Sequence, residues 1–583
     1  MTGIRWMTIL ILLLALSGLL LAVIPPLAAW YAVLLITVIH LLLAALLVIL
    51  AGPLLYQHIR KSHRWRSAGL SSIFSLVLLI MVIVTGASLL IQGQRGRLAL
   101  THTVSAIGFF SVLVIHSRLG HLRRFLGRSL RLVVTTIFVA LVVGAMVSSR
   151  STHSTVSPES KQFAPASFRI LGELPDYDEY EMAAKRCADC HKEIADQWKE
   201  SMHAMADTEL FYARVVGEFR KEFGFQASNW CAGCHSPLRL GRGELNEKVA
   251  TVAQPNVDCI VCHSIRGAHD SIGNNGYDLM IARQSGYELA GTRGLSDRLL
   301  LIQPEAHRSR WNSSFMRTPE FCGSCHRQVL PDFLSGGNVE LVLQDTYTEW
   351  ARSKYNTADK AIGRTCQDCH MPREPGLDVD LGNKRPSHLF LGGSYDIARI
   401  SGSHTAYTES KRFLQQAATI EITPVRTGKD GVELIVKVTN SGAGHNLPTG
   451  VTDLRQMWVA VTVTNDAGEI VYESGKIDAA GFLDSSATVF GMTLGDGNGN
   501  PVHFHHIAKA RQILSDTTIP AGETREVKYA VPVQHSRRLQ VDAKLMHRAV
   551  PQNFINHYMT PDLRSEVVVM TQATTNINLD STR

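Results

Sequence analysis

The chain has 583 residues, with 58 Lys and Arg against 51 Asp and Glu. Its basic balance is confined to one end: thirteen Lys or Arg and no Asp or Glu precede Glu159, so the remaining 45 basic residues face 51 acidic ones and that remainder is net negative by 6. The basic excess therefore reads as a sign of membrane topology, and nucleic acid is excluded as a partner of the acidic remainder.

Residues 1–150 are expected to form an α-helical transmembrane bundle of five spans. Apolar runs cover about 7–23, 30–55, 70–91, 104–115 with its flanks, and 132–147, lengths compatible with membrane-spanning helices. Arg60, Lys61, Arg64 and Arg66 sit on one connection and Arg118, Arg123, Arg124, Arg128 and Arg131 on another. An excess of Lys and Arg on short loops marks the cytoplasmic side, so an odd span count sends the rest of the chain across. The expected location is the bacterial inner membrane, multi-pass, with the C-terminal domains in the periplasm. The first run reads as an uncleaved anchor because four more follow it.

Within this bundle His40 and His58 lie eighteen residues apart, and His102 and His116 fourteen. At about 100° per residue each pair projects from one helix side at two depths. His40 can then face His102 and His58 can face His116, a geometry that would clamp one or two b-type haems between helices. By spacing, this resembles the di-haem cytochrome b subunits of quinone-linked dehydrogenases such as formate dehydrogenase. That resemblance implies quinone or quinol as a partner.

Residues 151–170, rich in Ser, Thr and Pro, read as a periplasmic linker. From 171 to 414 a mainly α and irregular domain is expected, and all ten cysteines of the chain fall in it, in five copies of Cys-x-x-Cys-His. They are Cys187, Cys190 and His191; Cys231, Cys234 and His235; Cys259, Cys262 and His263; Cys322, Cys325 and His326; and Cys366, Cys369 and His370. Two thiols at this spacing reach the two vinyl groups of one haem, and the adjacent imidazole is placed to ligate the iron. Zinc ribbons take cysteine pairs two at a time, and neither a ribbon nor a disulfide requires histidine after all five pairs. Five covalent c-type haems are expected, and with so little chain per haem the porphyrins must supply much of the apolar core. A partial repeat links Trp198-Lys-Glu-Ser201, after the first motif, with Trp350-Ala-Arg-Ser353, before the last.

Whether each iron has a second axial ligand separates electron relay from catalysis. Beyond the bundle there are thirteen histidines outside the motifs, enough to make every haem bis-histidine. The candidates are His203, His307, His388, His404 and His445. His445 lies in the Gly-flanked loop Gly444-His-Asn-Leu-Pro-Thr-Gly450.

Residues from about Arg186 to Gly393 resemble the multihaem cytochrome c family that includes the tetrahaem electron acceptor of hydroxylamine oxidoreductase. The matching residues are Cys187 to Ala204 with its Trp-x-x-Ser-x-His-Ala ending, Cys231 to Pro237, Cys259 to Ile265, and Trp350 to Pro372 ending Cys-His-Met-Pro, with His307 upstream of Phe321-Cys322. The resemblance implies bis-histidine haems stacked near contact and an electron-transfer role. The fifth motif, the apolar N-terminal region and the C-terminal region depart from that family.

Residues 415–583 are expected to form an all-β sandwich without covalent haem, because period-two alternation recurs at 418–424, 432–439, 457–464, 525–533 and 567–571. The expected function is a quinol-linked electron-transfer oxidoreductase, a conduit between the quinone pool and a periplasmic or extracellular redox protein, in either direction. The alternatives are a terminal reductase of nitrite, hydroxylamine or a sulfur oxyanion, and an anchored docking module for partner cytochromes.

Overall fold

A computed structural model describes residues 160–171, 187–245, 257–269, 272–280, 307–308, 311–337, 340–375, 384–427, 431–533, 536–560 and 562–579, with isolated positions between 10 and 82. The chain divides into two compact units, residues 1–157 with 282–312, and residues 158–281 with 313–583. In the first, Leu10 and Ser17 are buried. Ser17 Oγ donates to the Leu14 carbonyl and meets His40 Nδ1, each at 2.9 Å.

The second unit carries every motif. Its described helices include α1 (Lys192–Glu200), α2 (Leu210–Phe223), α3 (Asn229–His235), α4 (Cys259–Ser264), α5 (Pro319–His326), α6 (Thr346–Ala351), α7 (Cys366–His370), α8 (Tyr395–Ile400) and α9 (His404–Leu414). The longest, α2, has 14 residues, about 21 Å at 1.5 Å per residue against a hydrocarbon core of about 30 Å, and it contains Arg214, Glu218, Arg220, Lys221 and Glu222. Among the described residues no helix is long and apolar enough to cross a membrane. This corrects the expectation of a transmembrane bundle, and with it the multi-pass inner-membrane location. What is described is many short helices with several sheets. Most of the five apolar runs, with His58, His102 and His116, lies outside the described residues, which within those runs are 10, 13–14, 16–17, 38–44, 46, 49 and 82.

A small sheet runs in the order β1 (Ser160–Gln162), β2 (Arg169–Leu171), β4 (Tyr277–Leu279), β3 (Ile265–Ala268). It occupies part of the stretch read as linker, because Phe168 and Ile170 are buried there among otherwise polar neighbours. Asn275, itself buried, ties this sheet to α3. Its Oδ1 accepts from the backbone of Ser167 (2.6 Å) and Phe168 (3.2 Å), and its Nδ2 donates to the Trp230 carbonyl (3.1 Å). The residue opposite must then be glycine, since a Cβ on Gly233 would lie 2.5 Å from the Asn275 side chain.

Two antiparallel sheets close one core at the C-terminal end. One has the order β10 (Thr524–Pro532), β6 (Gly431–Thr439), β5 (Thr419–Thr427). The other runs β8 (Ile470–Ser474), β7 (Gln456–Asn465), β11 (Arg538–Arg548), β12 (Val568–Asn578), with β9 (Thr488–Phe490) also paired to β7. Val432, Leu434, Val436 and Val438 of β6 point inward at period two, against Val459, Val461, Val463, Leu539 and Val541 of the facing sheet. The helices α8 and α9 are fastened to this domain by polar contacts. Tyr395 OH donates to the His547 and Glu566 carbonyls (2.8 and 3.1 Å), and the Glu566 carboxylate takes Lys411 (2.7 Å) and Arg399 (3.2 Å).

Because Leu434 is 0% exposed at the centre of this core, Leu434→Ala should cost about 2–5 kcal/mol. Urea unfolding followed by fluorescence of the buried Trp458 should show the loss as a shifted midpoint with unchanged slope.

Candidate haem-binding site

Each attachment motif lies on a single helical turn, so cysteines at i and i+3 and the histidine at i+4 share one face. Residues 187–190 are helical, and the other four motifs lie on α3, α4, α5 and α7. These helices are far below the length that is stable alone, so local bonds hold them. Asp258 caps α4 by accepting from the Val261 backbone N–H (3.0 Å). Thr365 and Asp368 form a reciprocal capping box on α7. In α5 the residue between the cysteines is Gly323, where a Cβ would meet the Tyr347 ring at 2.5 Å.

Motifs distant in sequence come close at their sulfurs. The thiols of Cys187 and Cys259, of Cys234 and Cys325, and of Cys322 and Cys366 lie near enough to perturb one another. The Cys262 thiol acts electrostatically on both Cys322 and Cys325. Burial pushes the Cys231 and Cys262 thiols up to about 12. Cys190 and Cys369, at the two ends of the set, are exposed, whereas the other eight are partly covered.

The motif imidazoles converge in the same way. An imidazole nitrogen sits about 2 Å from a bound metal with the ring centre about 1 Å behind it, so two imidazoles on opposite sides of one iron have centres about 6 Å apart. His203 and His326 have ring centres 6.2 Å apart with planes at 80°. His370 and His445 are 6.1 Å apart with planes at 17°. Burial, with neighbouring imidazoles, holds His203 down at about 3 and His326 and His445 at about 4, so these rings are neutral and competent as ligands. Tautomers fit as well. A carbonyl faces Nδ1 of His370 (Leu391, 2.6 Å), His445 (Asn446, 2.9 Å), His388 (Pro386, 2.9 Å) and His235 (Ala206, 2.5 Å). A ring that donates from Nδ1 keeps the Nε2 lone pair for a metal. The residues present therefore fit haem at these motifs.

The two halves of the sequence repeat do equivalent work. Trp198 Nε1 donates to the Val257 carbonyl (2.9 Å), two residues before Cys259, and Trp350 Nε1 donates to the Arg364 carbonyl (2.8 Å), two residues before Cys366. The residue before each tryptophan holds a segment bearing a candidate histidine. Gln197 Oε1 accepts from the His388 backbone N–H (2.9 Å), and Glu349 Oε2 accepts from the Asn446 N–H (3.1 Å) and the Thr449 hydroxyl (2.6 Å). His388 lies in the field of His263 first and of His191 second.

His404 is exposed at the start of α9, and His307 belongs to the other compact unit. Among the described residues the ring packed on His235 is Tyr212, 4.0 Å away and nearly parallel, with its hydroxyl buried near Cys231 and Cys234. Neither Tyr212 nor Glu349 was singled out from the sequence. Tyr212 reads as one more apolar position of α2, while Glu349 was signalled by its place before Trp350 in the repeat.

Residues 186–264 match the family described as cytochrome c554 and c-prime. No curated protein matches. Among solved structures, a penta-heme cytochrome c552 from Thermochromatium tepidum aligns with 68% of this chain and 98% of its own at 20% identity and a TM-score of 0.46. A putative beta-galactosidase from Bacteroides fragilis aligns with 28% of this chain and 17% of its own at 12% identity and a TM-score of 0.13. Both scores are too low for a shared fold to be argued from them. The family match does not extend to residues 1–150, and the cytochrome b-like fusion drawn there finds no support. The five attachment motifs and the matched segment together support a multihaem c-type cytochrome.

Proposed function

We propose that the chain relays electrons between two redox partners through five c-type haems. The observation that supports this most directly is the nearness of attachment cysteines of different motifs, Cys187 to Cys259, Cys234 to Cys325 and Cys322 to Cys366. Haem bound at each motif would supply a one-electron iron couple, and covalent attachment at neighbouring sulfurs would keep the carriers close. The protein's own part is positional. His326 with His203, and His370 with His445, would hold two of the irons. His388 would complete the site of His263, because Gln197 and Trp198 treat His388 and Cys259 as Glu349 and Trp350 treat the His445 loop and Cys366. The narrower reading, with quinol as donor and a periplasmic or extracellular acceptor, rests on sequence alone. It is tested by asking whether a quinol analogue reduces the haems as dithionite does.

Mass spectrometry of denatured protein should show five haem additions; a stable zinc-loaded protein without haem would end the reading. Electron paramagnetic resonance should then separate two low-spin centres. The near-perpendicular rings of His203 and His326 should give a strongly anisotropic signal, and the near-parallel rings of His370 and His445 an ordinary rhombic one. His203→Ala should remove only the first. His445→Met should alter the second and raise one potential. A spectrum indifferent to both substitutions would remove these histidines from the irons.

Glu349 adds a pH dependence. Burial pushes its carboxyl up to about 7, opposed by the Thr449 and Asn446 hydrogen bonds and aided by Asp345 and Asp516. A carboxyl raised in the folded state contributes stability that is fully present below its unfolded value, near 4.5, and is lost as pH rises through about 7. Glu349→Gln keeps an acceptor and removes the titration. Its melting temperature should therefore rise relative to wild type between about pH 5 and pH 8 and not below. Glu349→Ala should loosen the His445 loop and weaken the rhombic signal. An offset between wild type and the glutamine variant that is constant with pH would contradict the assignment.

A further inference from the structure

The last attachment site opens to solvent through a loop whose charge is unlike the rest of its surroundings. Residues 352–364 carry Arg352, Lys354, Lys360 and Arg364, all exposed, against one acid, Asp359. The region after residue 158 is net negative by 6, so thirteen residues at net +3 form a local reversal. Among the described residues none of these four side chains is in an ion pair. Lys354 Nζ lies 5.4 Å over the Tyr355 ring, and the Arg364 guanidinium donates to the carbonyls of Lys360 (3.3 Å) and Gly363 (2.7 Å). The neighbouring acids Asp359 and Asp368 are exposed and are engaged by their own backbone. Asp359 accepts from the Ala361 backbone N–H (2.9 Å), and Asp368 accepts from the Thr365 N–H (2.8 Å) and hydroxyl (2.9 Å). Ile362 is 46% exposed between the charges. Asp368 and, against it, Arg364 act electrostatically on the exposed Cys369, which places the end of the loop at the mouth of the attachment site.

The opposite end is different. Beside the other exposed thiol, Cys190, the lysines of α1 are neutralised: Lys192 and Lys199 both pair with Asp196. Among the described residues, unpaired positive charge around an apolar centre thus marks the last mouth, whereas the lysines beside the first are paired.

We infer that the 352–364 loop is the docking surface for an acidic redox protein, one whose exposed redox centre is ringed by carboxylates. A positive rim steers a negative partner and sets its orientation, while a small exposed apolar centre gives the short-lived contact an electron carrier requires. This inference rests on the relay reading, since docking matters there only if the Cys366–Cys369 site carries haem. It names an interaction the family match does not assign.

The test uses the five-haem protein and an acidic plant-type [2Fe–2S] ferredoxin as probe, with a basic mitochondrial-type cytochrome c as the opposite-charge control. At low ionic strength the ferredoxin should bind, carbodiimide cross-linking should join its carboxylates to Lys354 and Lys360, and raising salt to about 0.5 M should abolish both. Lys354→Glu with Lys360→Glu should weaken binding about tenfold at low salt. Lys192→Glu with Lys199→Glu should leave it unchanged, and the basic control should not compete. Cross-links mapping to Lys192 and Lys199 or scattered over the surface would overturn the proposal, as would affinity indifferent to salt. The wild-type salt dependence and cross-link map need no variant to fold. Haem content by pyridine haemochrome and reduction by dithionite report separately on the relay: if they fail, the relay reading falls and the docking inference with it, whereas if they hold and the cross-links do not, only the docking inference falls.

Discussion

Two imidazoles held about 6 Å apart across a shared gap is a demand that no local segment can meet. His203 lies 123 residues before His326, and His445 lies 75 after His370. Each pair therefore requires the chain to bring distant segments together and hold them against the cost of burying polar rings. In the His370–His445 pair carbonyls at Nδ1 offset that cost, Leu391 against His370 and Asn446 against His445, whereas in the other pair Nδ1 of His326 faces the Gln344 amide and Nδ1 of His203 is buried without a hydrogen bond. The short motif helices, the tryptophan anchors and the fastening of α8 and α9 to the sheets all answer the same demand.

The anchors show how one solution serves twice. In both halves of the repeat an indole fixes the backbone two residues before a cysteine, while the preceding side chain fixes a histidine-bearing segment. The segments fixed are unrelated in structure, one in the loop around His388 and one in the β domain at His445. A neutral amide does the work in the first half and a buried carboxyl in the second, so one arrangement comes with two electrostatic characters. The β domain is thereby part of the site through a loop, although it has no attachment cysteine.

Legibility followed how local each signal was. The motifs could be read because their spacing is the chemistry. The period-two runs at 432–439 and 457–464 coincide with β6 and β7 because one face of each strand is buried and the other is not. His203 and His445 could be picked out by their neighbours, but only the fold pairs them with particular motifs. His404 reads like the others and lies exposed, because Glu200 caps its helix from outside and turns that end to solvent. The transmembrane reading rested on apolar composition alone, and the described helices are too short and too charged to support it. The strands at 160–162 and 169–171 escaped notice because three residues give too little alternation to rise above a polar stretch.

The nearness of the sulfurs has one more consequence. The cysteines of helix α5 lie near those of two other motif helices, Cys322 near Cys366 and Cys325 near Cys234, and Cys262 of α4 acts on both Cys322 and Cys325. Drawn as a graph, the five sites have two cut vertices, the site on α4, through which the first site joins the rest, and the site on α5. On the relay reading, deleting the site on α3 or on α7 prunes a leaf, and the remaining four stay connected. Deleting the site on α5 splits the graph into three pieces, so tolerance to damage is set by branching and not by the number of carriers.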